Sequence, residues 1–499
     1  MKKIICALLA ATLAASLAMT GCQMSGGTTS SQQSNQNNGS SVSPQQSNQN
    51  NGNNSVQDNA NTPSNSSSLT IKASLLKSYS ADDMAAIERI MDCKTGFYYS
   101  TAGSGGGEGL YGIINSETNE ILNAEYTVME PASGREKDFY KCTKAKSANS
   151  VKELNAFGLL DSTGKELIPL QYASIDVLND HFAKVVTVDG KTTSKDDALV
   201  YQNSGLSIGV NDDSTLYTGK WQIYDLDKGT IVPNLEGKKA DNIDAKGKLL
   251  KIGSDYYEAG GNKLDMVDNV FTNGCYTVDS GGVTHVNDTD SNKLFQVNSS
   301  IAVNQASDDS TEISFVEYDG KKRVIVNESG EKISAEFEKS ITKAGNFCFE
   351  YKDDNYIMYD LQANKVYNES ISNYDYNKTF GLYDIKDKNK QHTYLNKSGQ
   401  KIGSVAEGEG VNVDKGVVFK SSGNSKSIYS YADNSFSLEA DRCDTVAPFV
   451  YSNNKGAFNV LNKATVINED YIEIKTNGNG LAICKKSDGS ADLFKITVE

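Results

Sequence analysis

The sequence predicts an all-β fold of repeated hairpin units, propeller-like, with one short helix at the start of the folded region. Three observations lead there. An apolar strand, an Asp or Asn, a turn carrying Gly or Asn, and a second short strand recur along the chain, most clearly at 157–169 (FGLLDSTGKELIP). Later copies begin at 323, 356, 392, 427 and 458, spaced by 33, 36, 35 and 31 residues, and a fixed period of this size is the mark of a repeat architecture. Helix-period patterning is almost absent outside one N-terminal segment.

The chain opens with Lys2 and Lys3 and then an apolar run of 16 residues, Ile4 to Met19. Cations followed by a short apolar stretch and small residues form the grammar of a secretory signal. The run is short for a membrane span, which needs roughly 20 residues to cross about 30 Å of hydrocarbon. Residues 1–21 therefore read as a signal peptide. Residues 23–68 are almost wholly Ser, Gln, Asn, Gly and Thr, and the octapeptide QQSNQNNG occurs at 32–39 and again at 45–52. With so few apolar side chains this segment cannot offset its ordering entropy. It is expected to be a disordered tether with an r.m.s. reach of about 35–40 Å.

The folded region is expected over 69–499, with two subdomains meeting near 235–320 as an alternative to one repeat domain. Ser80 before Ala81-Asp82-Asp83-Met84 has an N-cap residue and first-turn acids, which predict a helix running on to Met91. Hairpin units then follow at Tyr111–Asn115, Phe157–Pro169, Trp221–Asp225 and Arg323–Gly330, and at the later starts given above. In each, the Asp or Asn is expected to hydrogen-bond its own turn, while Gly or Asn takes the positive φ. A further β-like stretch lies between units, as at Phe182–Val188, Phe347–Tyr351 and Gly416–Lys420. Three or four short strands per roughly 35–40 residues suit a propeller blade. The last strand, Asp492–Ile496, is expected to complete an early blade and close the ring.

Two resemblances follow from these residues. Met19-Thr20-Gly21-Cys22 resembles the lipobox of bacterial lipoproteins, with Met19 in place of the usual Leu. The resemblance implies lipidation of Cys22 by diacylglycerol, palmitate among the acyl chains, and anchoring at the extracytoplasmic face of the bacterial cell membrane. Phe157 to Val185 resembles a WG repeat: aromatic-Gly, two hydrophobics and Asp, then a turn, Gly-Lys, hydrophobic-Ile-Pro and a Tyr, here Tyr172. Tyr111-Gly112 is a partial second match, and later units keep the Asp or Asn and the turn but lose the aromatic-Gly pair. This resemblance implies a β-rich repeat domain and little about activity, because WG-repeat proteins share no common chemistry.

The formal net charge is −15 and becomes −17 once Lys2 and Lys3 are removed, which disfavours nucleic acid and anionic headgroups as partners. Beyond Cys6 and Cys22 there are Cys93, Cys142, Cys275, Cys348, Cys443 and Cys484. An even count in an exported chain permits three disulfides. Wide spacing, the lack of a CxxC pair and the apolar strands around Cys348 and Cys484 favour buried free thiols.

Chemistry-bearing motifs are few. His181, His285 and His392 lie in separate units without HxH or HxxxH spacing. Gly103–Gly109 puts Glu108 where a phosphate-binding GxGxxG needs Gly, so it reads as a loop. Asp288-Thr289-Asp290-Ser291-Asn292 begins like a calcium loop, but Lys293 stands at the required Gly and Ser299 at the bidentate Glu; a hairpin tip is the better reading. Asn211–Ser214 is weaker still. No catalytic residue, metal ligand or cofactor motif is assigned.

The 26 tyrosines cluster at Tyr98-Tyr99, Tyr256-Tyr257 and Tyr374–Tyr376, where aromatics at blade ends can stack on sugars or anchor a protein. The expected function is a membrane-anchored binding module for a protein or glycan. The alternatives are an envelope glycan hydrolase and, disfavoured by the scarcity of helices, a solute-capture lipoprotein.

Overall fold

The computed structural model describes residues 69–499, apart from 104–108, 133–136, 146–153, 200–215, 238–241, 308, 310–311, 407–410, 415–416, 423–424, 430–436, 441–443 and 454; of 406–443 the backbone alone is described. Cys22, the signal and tether, Ser104–Glu108, Asn211–Ser214 and Cys443 thus lie outside the described residues.

The fold is all-β: a ten-bladed propeller arrangement of antiparallel sheets in which each sheet but that of the last blade is a meander of consecutive strands. Blade 1 holds Ile87–Asp92, Phe97–Thr101 and Tyr111–Ile114, and blade 2 holds Val128–Pro131, Phe139–Thr143, Phe157–Asp161 and Glu166–Tyr172. Blade 3 runs from Ser174 to Gly237 and blade 4 from Ile243 to Tyr257. Blades 5 (Asn269 to Asn298), 6 (Ala302 to Asn327), 7 (Ser340 to Tyr359) and 8 (Asn373 to Ala406) continue the circuit. Blade 9 runs from Asp444 to Ile467. Blade 10 combines Glu473–Thr476, Leu481–Lys485 and Ala491–Val498 with Ile71–Tyr79 from the chain's other end.

An eleventh sheet, Val411–Asp414 through Ser437–Ala440, comes between blades 8 and 9 in sequence. The packing passes directly from blade 8 to blade 9, where Leu382, Tyr394 and Val405 meet Phe449, Tyr451 and Val460. That direct contact sets the count at ten.

The predicted unit corresponds to a fixed place in the blade. Tyr111, Phe157, Trp221, Arg323, Tyr356, His392, Ser427 and Phe458 all fall on the third strand of their sheets, and Phe182 and Phe347 open second strands. Outside the Ser427 unit, whose turn lies beyond the described residues, the Asp or Asn at the end of that third strand accepts backbone N–H groups of its own turn. Asp161 Oδ1 accepts from Thr163 and Lys165 at 2.9 and 3.0 Å, and Asn327 Oδ1 from Ser329 and Glu331 at 3.0 and 2.9 Å. Asp360 and Asn396 repeat the pattern.

The aromatic-Gly pair also has a physical reason. A Cβ on Gly158 would fall 2.7 Å from the Ile168 carbonyl oxygen, and one on Gly112 would fall 2.6 Å from the Tyr99 ring. Pro131, Pro169 and Pro233 all sit on edge strands, where a missing N–H costs no ladder bond.

One expected element is shorter than its pattern. The helix spans Ala81–Ala85, with Ser80 and Asp83 forming a reciprocal capping box, and Ile87–Asp92 is a strand paired with Phe97–Thr101. Residues 85–91 have good helix formers, but pairing with an apolar strand decides their state.

Side chains between neighbouring blades form the core. Phe157, Leu159 and Ile168 of blade 2 meet Ile175, Val185 and Tyr224 of blade 3, and Phe349 and Met358 of blade 7 meet Tyr383 and Ile385 of blade 8. Each such side chain, fully buried, contributes about 1.5–3 kcal/mol before entropy is counted. Blades 4 and 5 meet differently, through the Lys248–Asp290 ion pair at 3.3 Å and the close approach of Gly247 to the Asn273 carbonyl.

The ring closes as expected for the last strand. Ala491–Val498 pairs antiparallel with Ile71–Tyr79 from Ile71↔Val498 to Tyr79↔Ala491. Thr70 and Glu499 add reciprocal backbone bonds of 2.8 and 2.9 Å.

Candidate functional site

Among the described residues, the Tyr374–Tyr376 cluster lines a large cleft. Tyr99 is 3% exposed and packs in the blade 1 core. Tyr256 sits under the Lys251 ammonium, 5.3 Å from its ring centre, beside a cavity of about 90 Å³. Tyr374 and Tyr376 belong to the first strand of blade 8 and face a cleft of about 510 Å³. Its other walls are Tyr356, Thr342, Lys343 and Ala344 of blade 7, and Ser307 and Asp309, which follow the first strand of blade 6.

The rings are held from behind. Tyr374 stacks on Phe349 with centroids 3.7 Å apart and planes at 8°, and Tyr356 meets Tyr374 edge-on at 5.0 Å. Tyr376 stacks on Tyr383 at 4.6 Å. The Tyr383 hydroxyl donates to the Ala344 carbonyl at 3.0 Å and accepts from the Asn346 N–H at 2.9 Å. This arrangement requires Gly345, whose φ is +56° and whose Cβ, if present, would lie 2.6 Å from the Tyr376 ring. Burial, with the Asp309 and Glu312 carboxylates adding to it, pushes the Tyr376 phenol above its ordinary pKa, so it stays a neutral donor.

Two ion pairs frame the rings. Lys378, in the turn after Tyr376, pairs with Asp309 at 3.1 Å across blades 8 and 6. Lys343 donates to Glu312, which also accepts from Ser314 at 2.8 Å. Asp375 stands exposed at the rim. The cleft therefore offers half-buried aromatic surface flanked by two ion pairs, with the Asp375 carboxylate at its rim.

A second cleft, of about 560 Å³, lies where blades 10 and 1 meet and takes Thr379 from the same blade 8 turn. Its asparagines are engaged in joining the blades, since Asn477 and Asn479 each donate to the Lys94 carbonyl, at 3.2 and 3.0 Å.

The histidines stay apart. His181 Nδ1 lies 2.8 Å from Asp227 on blade 3, His392 Nδ1 2.9 Å from Asp384 on blade 8, and His285 is on blade 5. Asp288 Oδ1 accepts the N–H groups of Asp290 and Asn292, each at 2.8 Å, which makes this segment a hairpin tip. Cys93, Cys142, Cys275, Cys348 and Cys484 are buried free thiols, and burial pushes each up to about 12.

Sequence reasoning picked out Tyr374 and Tyr376 but not Asp309, Lys343 or Tyr356. Those come from blades whose juxtaposition no local pattern announces.

No protein-family model and no curated protein matches the chain. Among solved structures it is similar to a eukaryotic initiation factor, with 10% identity and TM-score 0.30 over 61% of this chain and 85% of that one. It is also similar to BamB from Moraxella catarrhalis, with 9% identity and TM-score 0.23 over 85% and 97%. Hsv2 of Kluyveromyces lactis gives 13% identity and TM-score 0.22 over 47% and 96%.

Proposed function

We propose that this chain is a lipid-anchored extracytoplasmic binding protein, tethered through Cys22 and presenting a propeller whose cleft between blades 6, 7 and 8 takes the ligand. The cleft carries the binding half of the reading: pockets of roughly 300–1,000 Å³ with aromatic walls and a few placed polar groups are the usual form of a ligand site. The anchoring half rests on the resemblance of Met19–Cys22 to a lipobox and on the polar stretch that follows it. Acting as a tether, the 46 residues 23–68 would give the ring a reach of about 35–40 Å from the bilayer.

Each half has its own test. Labelled palmitate should be incorporated by the wild-type chain and not by Cys22→Ala; label retained by Cys22→Ala would refute the anchor. The purified Cys22→Ala protein should co-sediment with isolated cell envelopes. Asp375→Ala with Tyr376→Ala should lose that co-sedimentation, and its persistence would remove the cleft from the binding function.

A further inference from the structure

We infer that the cleft between blades 6, 7 and 8 recognises a neutral oligosaccharide, an inference that rests on the proposed binding role and names its ligand class. Three features on its walls argue for this class. The rings of Tyr356, Tyr374 and Tyr376 are fixed in place, Tyr374 by the parallel Phe349 ring and Tyr376 by Tyr383. Rigid aromatic faces offer apolar contact to the C–H face of a sugar ring at little entropic cost.

Four charges at the walls are paired within the protein, Asp309 with Lys378 at 3.1 Å and Lys343 with Glu312, while the Asp375 carboxylate stands exposed at the rim. A charged group seated between the rings, on either of these pairs, would have to break it and leave its partner without compensation, which is costly. A sugar hydroxyl faces no such conflict. It donates to the carboxylate and accepts from the ammonium at once, so both charges stay balanced while the hydroxyl is fully satisfied.

Among the described residues Ala344 is the one aliphatic side chain on its walls, so a bound ligand meets aromatic faces and polar groups. At about 510 Å³ it has room for a short oligosaccharide rather than a single small solute.

The test is calorimetric titration of the full-length Cys22→Ala protein with cellotetraose, chitotetraose and maltotetraose, with an acidic and a basic tetrapeptide as comparators. At least one neutral tetrasaccharide should bind. Tyr376→Ala should weaken it at least tenfold, and Asp309→Asn should weaken it by a similar factor. Tyr256→Ala, on blade 4, should leave it unchanged. Far-ultraviolet dichroism and the thermal midpoint of each variant separate lost binding from lost folding, and Tyr376→Phe should retain binding if the ring face makes the contact.

Failure of all three sugars, or binding of a peptide in their place, overturns the ligand class while the envelope co-sedimentation still judges the binding role. Sugar binding that is indifferent to Tyr376→Ala and Asp309→Asn overturns this location.

Discussion

Ser78 Oγ donates a 2.7 Å hydrogen bond to Asp492 Oδ1, joining the first strand of the folded region to the last across 414 residues. Asp492 also accepts from Tyr471 at 2.9 Å and pairs with Lys486 at 2.8 Å. It is 5% exposed. Burial works to raise its pKa, but Lys486, Ser78 and Tyr471 outweigh that and hold the carboxyl below the usual range. Deleting 492–499 should therefore unfold the ring cooperatively in thermal melts, because Ile71–Tyr79 loses its only paired strand in blade 10. An unchanged melting curve would show that this strand does not close the ring.

Asp492→Ala should cost on the order of 2–3 kcal/mol in denaturant titrations, since it leaves Tyr471 and Ser78 without their acceptor. The pH dependence follows from the depressed pKa. Stability from Asp492 is fully present above the ordinary carboxyl value of about 4 and is lost as pH falls toward its lower folded value. Wild type and Asp492→Asn should therefore converge in stability at acid pH; a constant difference from pH 7 to pH 2 would exclude this linkage.

The repeat was legible because its chemistry is local. Asp161, Asn327 and Asp360 meet N–H groups two to four residues away, so spacing alone exposes them. The helix limit was not legible, because Ile87, Ile90 and Met91 take their state from Tyr98, Tyr99 and Thr101, their partners on the next strand. The cleft was half legible. Tyr374 and Tyr376 stand out as a cluster, whereas Asp309 reaches Lys378 only through the stacking of blades 6, 7 and 8. The count of ten was also hidden, since Ser427 keeps the repeat spacing yet its sheet is bypassed by the contact of Tyr394 with Phe449, 5.5 Å between centroids.

Thiol reactivity is the next expectation. With pKa values near 12 and little exposure, Cys93, Cys142, Cys275, Cys348 and Cys484 are neutral and shielded at pH 8. In a Cys6→Ala, Cys22→Ala, Cys443→Ala variant, Ellman's reagent should find no reactive thiol in the native protein and five after guanidinium unfolding. Prompt reaction of any one in the native state would contradict its burial.

Gly158→Ala is expected to destabilise by about 1–3 kcal/mol, the usual cost of forcing atoms into a packed site. The new methyl would press on the Ile168 carbonyl and on Leu170 N, 3.1 Å away, where the edge strand bulges to pass. Gly229→Ala, at a turn with open space but φ +69°, isolates the backbone cost alone and should lose about 1 kcal/mol. Urea midpoints of the two variants separate crowding from conformation, and equal losses would remove crowding as the reason for the aromatic-Gly pair.

Alkaline pH should unfold the ring through its tyrosines. Burial first, with nearby anionic groups adding to it, raises the phenols of Tyr98, Tyr126 and Tyr140 above their ordinary value. Tyr98 is pushed up to about 12. Above about pH 10 the unfolded chain releases phenolic protons that the folded state retains. Stability is therefore whole below pH 10 and falls as pH rises further, the unfolded state being the one that binds fewer protons there. Monitored at 295 nm, phenolate absorbance should rise together with the loss of β-sheet dichroism rather than before it. Tyr140→Phe removes a phenol that donates to Cys93 at 3.1 Å and should shift that joint transition to higher pH. A transition unmoved by Tyr140→Phe would mean that this phenol does not drive the alkaline unfolding.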